Sequence, residues 1–336
     1  MTVRAGVVPA GGGRLGVAEW LEVVERDYLR DFIPEGGAAV KVAVVGGEDV
    51  ATRLRDGLAA AAERSNVVIV DIDAAETRIH FVDQLYAAVA RTLDWQAITA
   101  RLTRDAYAAE AFPVDIDELD VDSVADRYGI DAGELYRSAR RRLEQMILGD
   151  VLLPRDLRVA LLRLCQACLA YPPGGTGAAL TASATAWLQA ETVPAAQLRA
   201  TGISGRIARN TARGLLASLG HLLTRAGYSG LVLMIDCERL GVARRPPLEL
   251  RQGFYYTRAA VLDAYEVLRQ LVDTTDAMEA TFAVVLLPPE LVSDESRGLR
   301  AYDALALRVA DEVRDRRRAN PYAPLVRLET RLEAVR

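Results

Sequence analysis

Lysine is almost missing from this chain. Of its 41 basic residues one, Lys41, is a lysine and the other forty are arginines. Any chemistry that needs an ammonium group therefore has Lys41 or nothing. Cysteine and histidine are nearly as scarce, with three and two copies in 336 residues. That excludes a disulfide framework and fits a reducing compartment. The one C-x-x-C, "CQAC" at 165–168, lies in an apolar helical run. Zinc asks for four ligands, and Cys237, His80 and His221 are the only other thiol and imidazole groups. Buried small cysteines are the better reading, and no metal site is expected. Basic excess is absent too: the net charge is −5, so a nucleic-acid contact would have to be a local patch. Two arginine clusters, Arg140–Arg142 and Arg316–Arg318, have acids beside them, which makes a solvated helix face the default. No run approaches 18 apolar residues, and residues 1–20 lack a basic start with a long apolar core. No membrane span or secretory signal is expected, and a cytoplasmic location follows.

Half of the residues are apolar (51%) and a quarter charged (26%), the make-up of a globular protein with a sizeable core. Residues 1–16 are glycine-rich and read as loose. "VAEWLEVVERDYLRDFI" (17–33) carries apolar residues at helical spacing, and "PEGG" stops it. "AVKVAVV" (39–45) is a buried strand. The helix "DVATRLRDGLAAAAERS" follows with an apolar stripe at Val50, Leu54 and Leu58. "NVVIVDID" (66–73) is a second strand and "HFVDQLYAAVARTL" a further helix. From 96 to 225 the pattern is mainly helical, with an acidic stretch at 115–126, a helix at 157–171 and a loop at "PPGGTG" (172–177). Strands return at 230–236, 280–288 and 323–329, separated by helices such as 255–273. This predicts a three-layer α/β domain with a five-stranded parallel sheet and a large helical insert. Its segments are 1–16, 17–95, 96–225 and 226–336. Right-handed crossovers place the first strand inside the sheet, with the site at the carboxyl ends of the strands.

The stretch "KVAVVGGEDVATRLRDGL" (41–58) has the strand–glycine turn–helix layout of a phosphate loop. Counted from Gly46 in the frame G-x-x-x-x-G-K-[ST], Ala51 stands at the second glycine, Thr52 at the lysine and Arg53 at the hydroxyl. Glu48 and Asp49 sit inside the loop, where each carboxylate facing a phosphate costs about 1–4 kcal/mol. On the motif alone an ordinary strand–turn–helix corner is the better reading. "GGGRLG" (11–16) matches G-x-G-x-x-G, but Pro9 breaks the segment before it and no second strand ends in the required acid. "LVLMIDCERL" (231–240) has the form of a strand that ends in a magnesium-holding Asp. Asp236 is present, Cys237 replaces the base, and Glu238 comes one position late, on the other face of an extended chain.

These pieces together resemble the ATP-binding protein family of BREX-type phage-defence systems, the BrxD-like proteins. The likeness rests on stretches such as "YLRDFIPEGGAAVKVAVVGGEDVATRL", "LLTRAGYSGLVLMIDCERL", "LLPPELVSDESRGLRAYDALALRV" and "NPYAPLVRLE", and runs from about residue 17 to 329. It implies a P-loop ATPase fold of the AAA+ origin-recognition and helicase-loader group, an antiviral setting and a prokaryotic host. Against that pattern the chain departs at the loop lysine (Thr52), at the base (Cys237) and at the polar sensor, where Leu287-Pro288 replaces Gly-Thr. Three emptied positions imply a pseudo-ATPase. A C-terminal helical lid and winged helix are expected in the family and read as missing here. Arg297 and Arg300, in "RGLRAY" (297–302), are candidates to serve a neighbouring subunit's site in trans.

Three functions are therefore carried forward. The first is a non-catalytic scaffold or regulatory subunit docked on an active ATPase, a helicase or a second copy, with no cofactor. The second is a working ATP-binding protein in which Lys41 or Arg53 reaches the phosphates, Glu238 replaces the base, and ATP and magnesium bind. The third is a nucleic-acid adaptor working through its arginine faces. The first is preferred, and no catalytic residue is expected under it.

Overall fold

Strand β2 (Ala38–Val45) organises the sheet of the chain. The structure is a computed structural model and describes residues 13–171, 177–245, 247, 249, 252–310 and 319–330. The arginine cluster at 316–318, most of the stretch 1–16 and residues 172–176 of the loop "PPGGTG" lie outside the described residues. The chain forms two compact units. One contains the residues up to Leu85 and those from Tyr228 onward, and the other Tyr86–Gly227.

The first unit holds one parallel sheet. Its strands are β1 (Leu15–Gly16), β2, β3 (Val67–Asp73), β4 (Gly230–Asp236), β5 (Thr281–Leu287) and β6 (Leu325–Glu329). Their spatial order is β1-β6-β2-β5-β4-β3. The sheet thus has six strands, not the expected five. The addition is β1, two residues in the stretch read as loose, where Leu15 and Gly16 pair with Leu328 and Glu329. A strand of that length is too short to show alternation. As the crossover rule required, β2 is interior, between β5 and β6.

Both faces are covered. Helix α1 (Val17–Val23) runs on as a π-helix over Val24–Phe32, and α2 covers Glu48–Arg64. The expected single helix over 17–33 therefore changes its hydrogen-bonding pattern partway, a form that apolar periodicity does not distinguish. Trp20, Leu54 and Leu58 are fully buried against Ala43, Phe282 and Val284 on one face. The other face carries α11 (Arg258–Asp273), α12 (Pro289–Ser293) and α13 (Asp303–Arg308). There Val44 meets Val292 and Ala306. With helices on both sides, every residue of β4 and β5 is buried, which is why both read as unbroken apolar runs. The result is a three-layer arrangement consistent with a P-loop-like α/β fold.

The second unit is helical. It contains α4 (Trp95–Ala109), α5 (Val121–Tyr128), α6 (Ala132–Leu148), α7 (Arg155–Cys168), α8 (Gly177–Leu188), α9 (Ala195–Thr201) and α10 (Arg209–Arg225), after α3 (Val82–Thr92) enters it. The acidic stretch and the residues after it supply caps: Asp120 accepts from the Ser123 amide at 2.8 Å and Asp131 from the Glu134 amide at 2.8 Å. In "CQAC", Cys165 is fully buried and its sulfur lies 3.7 Å from the Thr99 carbonyl oxygen. Burial pushes both thiols of this pair up. Among the described residues no helix is long and apolar enough to cross a membrane, and no group of three or more His, Cys, Asp or Glu is placed to hold a metal ion.

Candidate functional site

β2 ends at Val45, and the chain turns through Gly46 and Gly47 into α2. Gly47 has φ 127° and ψ 164°, a region open in practice only to glycine. The turn is closed by the Ala51 amide donating to the Gly47 carbonyl at 3.1 Å. Its interior is not shaped for phosphate. Ala51, at the second glycine position, packs into the core with Val50 and Leu54. Thr52 is exposed. Arg53 lies along the surface of the helix, its Nε 3.2 Å from Asp49 Oδ1, with both side chains more than half exposed (60% and 65%). Glu48 and Asp49 occupy the first turn of α2. Lys41 is 7% exposed and points elsewhere: Nζ donates to the Tyr322 carbonyl and stands 5.2 Å over the Tyr28 ring. It is also four residues upstream of Val45, about 13 Å of strand.

The decisive contact comes from a residue the sequence reading passed over. Arg55, about two turns into α2, reaches across the sheet edge to the ends of β3 and β4. Its Nη2 pairs with Asp236 and its Nε lies 3.2 Å from Asp71 Oδ2. Asp236 is largely buried (side chain 10% exposed) and its second oxygen accepts from the Glu238 amide at 2.8 Å. The carboxylate that the sequence placed to hold magnesium is thus ion-paired within the chain. Burial raises the Asp71 carboxyl above the usual carboxylate range; Arg55 opposes this, while Asp236 and Asp73 reinforce it. The Cys237 thiol is fully buried, and burial holds it well above the usual thiol range, with Asp236 and Asp73 acting the same way. It stays a neutral thiol and is no base for water. Glu238 is exposed, at the start of a 3₁₀ turn (Glu238–Gly241). Pro288 follows β5 as the cap of α12.

Two cavities open at this end of the sheet. One, of about 360 Å³, lies beside Gly46 and is lined by Arg14 and Arg327 among others. Arg327 sits opposite Val44 in the ladder, and burial, together with Arg14, lowers its pKa. The other, of about 490 Å³, collects Asp73, Asp236, Glu238 and Glu290 around Arg239 and Pro288. The two candidate trans arginines part company. Arg297 is 6% exposed, and its guanidinium donates to the Leu240 and Tyr256 carbonyls at 2.7–3.2 Å. It ties the loop after β4 to the start of α11. Arg300 keeps a third of its side chain exposed (32%), 3.9 Å from the carboxylate of Glu295, which is itself 85% exposed.

A family model described as BREX system ATP-binding protein BrxC/D matches residues 2–334 of this chain. The chain belongs to that family. No curated protein and no solved structure matches it. Membership implies an ATP site, and the residues of the 46–53 corner do not fit one. Thr52, where the frame asks for lysine, is exposed, Ala51, where it asks for glycine, is buried, and Asp236 is paired with Arg55.

Proposed function

We propose that this BREX-family chain is a non-catalytic ATPase-like subunit that lends surface and stability to an active ATPase or helicase of its system. The observation that carries the reading is the Arg55–Asp236 pair. A cation supplied by the chain itself stands where a metal would have to be held. Two further features support it: Arg53 is drawn back to Asp49, and the neutral, buried Cys237 stands where a base is needed. Arg300 is the arginine of the pair able to act on a neighbour, since Arg297 is committed inside the fold.

The test is phosphate release from magnesium-ATP by the purified protein and by Asp236→Asn. Expected is background release from both. Turnover by the wild type that Asp236→Asn abolishes would sink the proposal and return the chain to the ATPases. For the trans role, Arg300→Ala is mixed with an active ATPase of the same system. A fall of about tenfold or more in the partner's turnover is expected, since a trans arginine supplies a large share of such catalysis. An unchanged rate removes the trans role and leaves a docking role to be read by co-purification.

A further inference from the structure

A third cavity, of about 480 Å³, lies farther along the carboxyl edge of the sheet, outside the ends of β3 and β4. Its size falls within the usual range for small-ligand sites. Its walls come from three segments: Arg78, His80 and Phe81 after β3; Arg239 and Arg245 after β4; and the run from Gly253 to Thr257 leading into α11. Among the described residues, no acid lines it. Several arginines of the chain have a carboxylate partner, as Arg53, Arg55, Arg269 and Arg308 do. Among the described residues, none of the three cavity arginines does. Arg78 lies over the Phe254 ring, 4.7 Å from its centroid. Arg239 gives its Nε to the Phe254 carbonyl at 2.6 Å, and its Nη2 is buried with no hydrogen-bond partner.

The cavity is built, not incidental. Gly253 has φ +67°, and a Cβ there would stand 2.4 Å from the Ala75 carbonyl oxygen. Only glycine lets the Phe254 amide reach that oxygen at 2.7 Å. The Tyr256 hydroxyl, fully buried, donates to the Ala74 carbonyl at 2.9 Å and accepts from the Ile79 amide at 3.2 Å. The two loops are therefore laced together before any ligand arrives. Arg239 is shared with the acidic cavity that holds Asp73, Asp236, Glu238 and Glu290. An anion is repelled on one side of that side chain and drawn to the other.

We infer that this cavity binds a nucleoside phosphate unit, the phosphate on Arg78, Arg239 and Arg245 and the base against the Phe254–Tyr255 wall. Guanidinium groups without acid partners select a phosphate, and aromatic side chains select a planar ring. The unit comes either from a free nucleotide or from one residue of a single strand. This site is separate from the 46–53 corner, so binding here leaves the non-catalytic reading of that corner untouched.

The test is fluorescence anisotropy with two probes, a labelled AMP and a labelled oligothymidylate, without magnesium. Variants are Arg245→Ala and Arg78→Ala, both exposed positions, with Thr52→Ala and Arg53→Ala as corner controls; thermal melting verifies each fold. At least one probe is expected to bind. Losing either cavity arginine should weaken it by about tenfold or more, as for loss of a charged hydrogen bond, with the corner controls unchanged. If AMP binds as tightly as the oligonucleotide, the ligand is a free nucleotide. If only the oligonucleotide binds, with an affinity that falls steeply with salt, it is a single strand. Binding of neither probe overturns the inference. So does binding that survives both cavity substitutions. Binding lost in the corner controls overturns it and the emptied corner together.

Discussion

Removing Arg55 should unsettle the end of the sheet far more than removing Arg53, two residues earlier in the same helix. Arg55 is 30% exposed and its partner Asp236 10% exposed, with Asp71 close to both. Breaking a fully buried ion pair costs 3–5 kcal/mol because it strands a charge, and an exposed pair is worth under about 1. The partial exposure of Arg55 places Arg55→Met near 2 kcal/mol. For a unit of this size that is about 4–8 °C in Tm. Arg53→Met, whose pair with Asp49 is solvated, should cost less than about 0.5 kcal/mol. The assay is a double-variant cycle of Arg55→Met and Asp236→Asn, followed by urea unfolding and calorimetry. Neutralising Asp236 first removes the stranded charge, so Arg55→Met should then cost at least about 1 kcal/mol less. A coupling near zero would refute the reasoning. It would mean that Asp236 is held by its Glu238 amide contact alone, and that the magnesium position is not blocked by the pair.

Other outcomes follow from single features. Gly47→Ala meets no atom within 4 Å but keeps φ +127°, so pure backbone strain should cost about 1–3 kcal/mol, read as a lower Tm with an unchanged far-ultraviolet spectrum. The Glu266 carboxyl is held down at about 2, first by its hydrogen bond from Arg269 and then by Tyr302 and Gln270. Its ordinary value is 4.5, so its stabilising contribution is full above that pH and is lost as pH falls from about 4.5 to 2. Glu266→Gln should flatten that acid limb in a pH series of melts, and an unchanged limb would assign the loss to other carboxylates. Cys165 and Cys237 are fully buried with raised thiols, and Cys168 is raised as well. A thiol reagent at pH 8 should therefore react slowly with the native protein and with all three cysteines once it is unfolded; prompt native labelling of Cys237 would contradict its placement.

Much of the fold could be read locally. The stripe Val50, Leu54 and Leu58 carries a helical period and the runs at 230–236 and 281–287 an unbroken apolar stretch, and the structure buries all three. Two elements escaped for reasons of length and pattern. β1 is two residues long, and the π-helix over Val24–Phe32 keeps a helical apolar stripe whatever its hydrogen-bond register. At the candidate site the missing lysine, Cys237 and Pro288 were visible as residue identities. Their surroundings were not. Nothing adjacent in sequence marks Arg55 as different from Arg53: both lie on the same helix, two residues apart. Nor does "RGLRAY" reveal that Arg297 turns inward while Arg300 stays at the surface.

The sequence by itself determined the strand–helix alternation, the absence of a lysine in the 46–53 turn and the cysteine that follows Asp236. Those depend on residue type and on spacings within a few turns. Only the tertiary structure decided which charges meet. The contact between Arg55 and Asp236 spans 181 positions, and the cavity of Arg78, Arg239 and Arg245 joins three separate segments. Parallel strands linked by long crossovers bring the loops after every strand to one edge. There, partners far apart in the chain become neighbours, and no local pattern records which of them will touch.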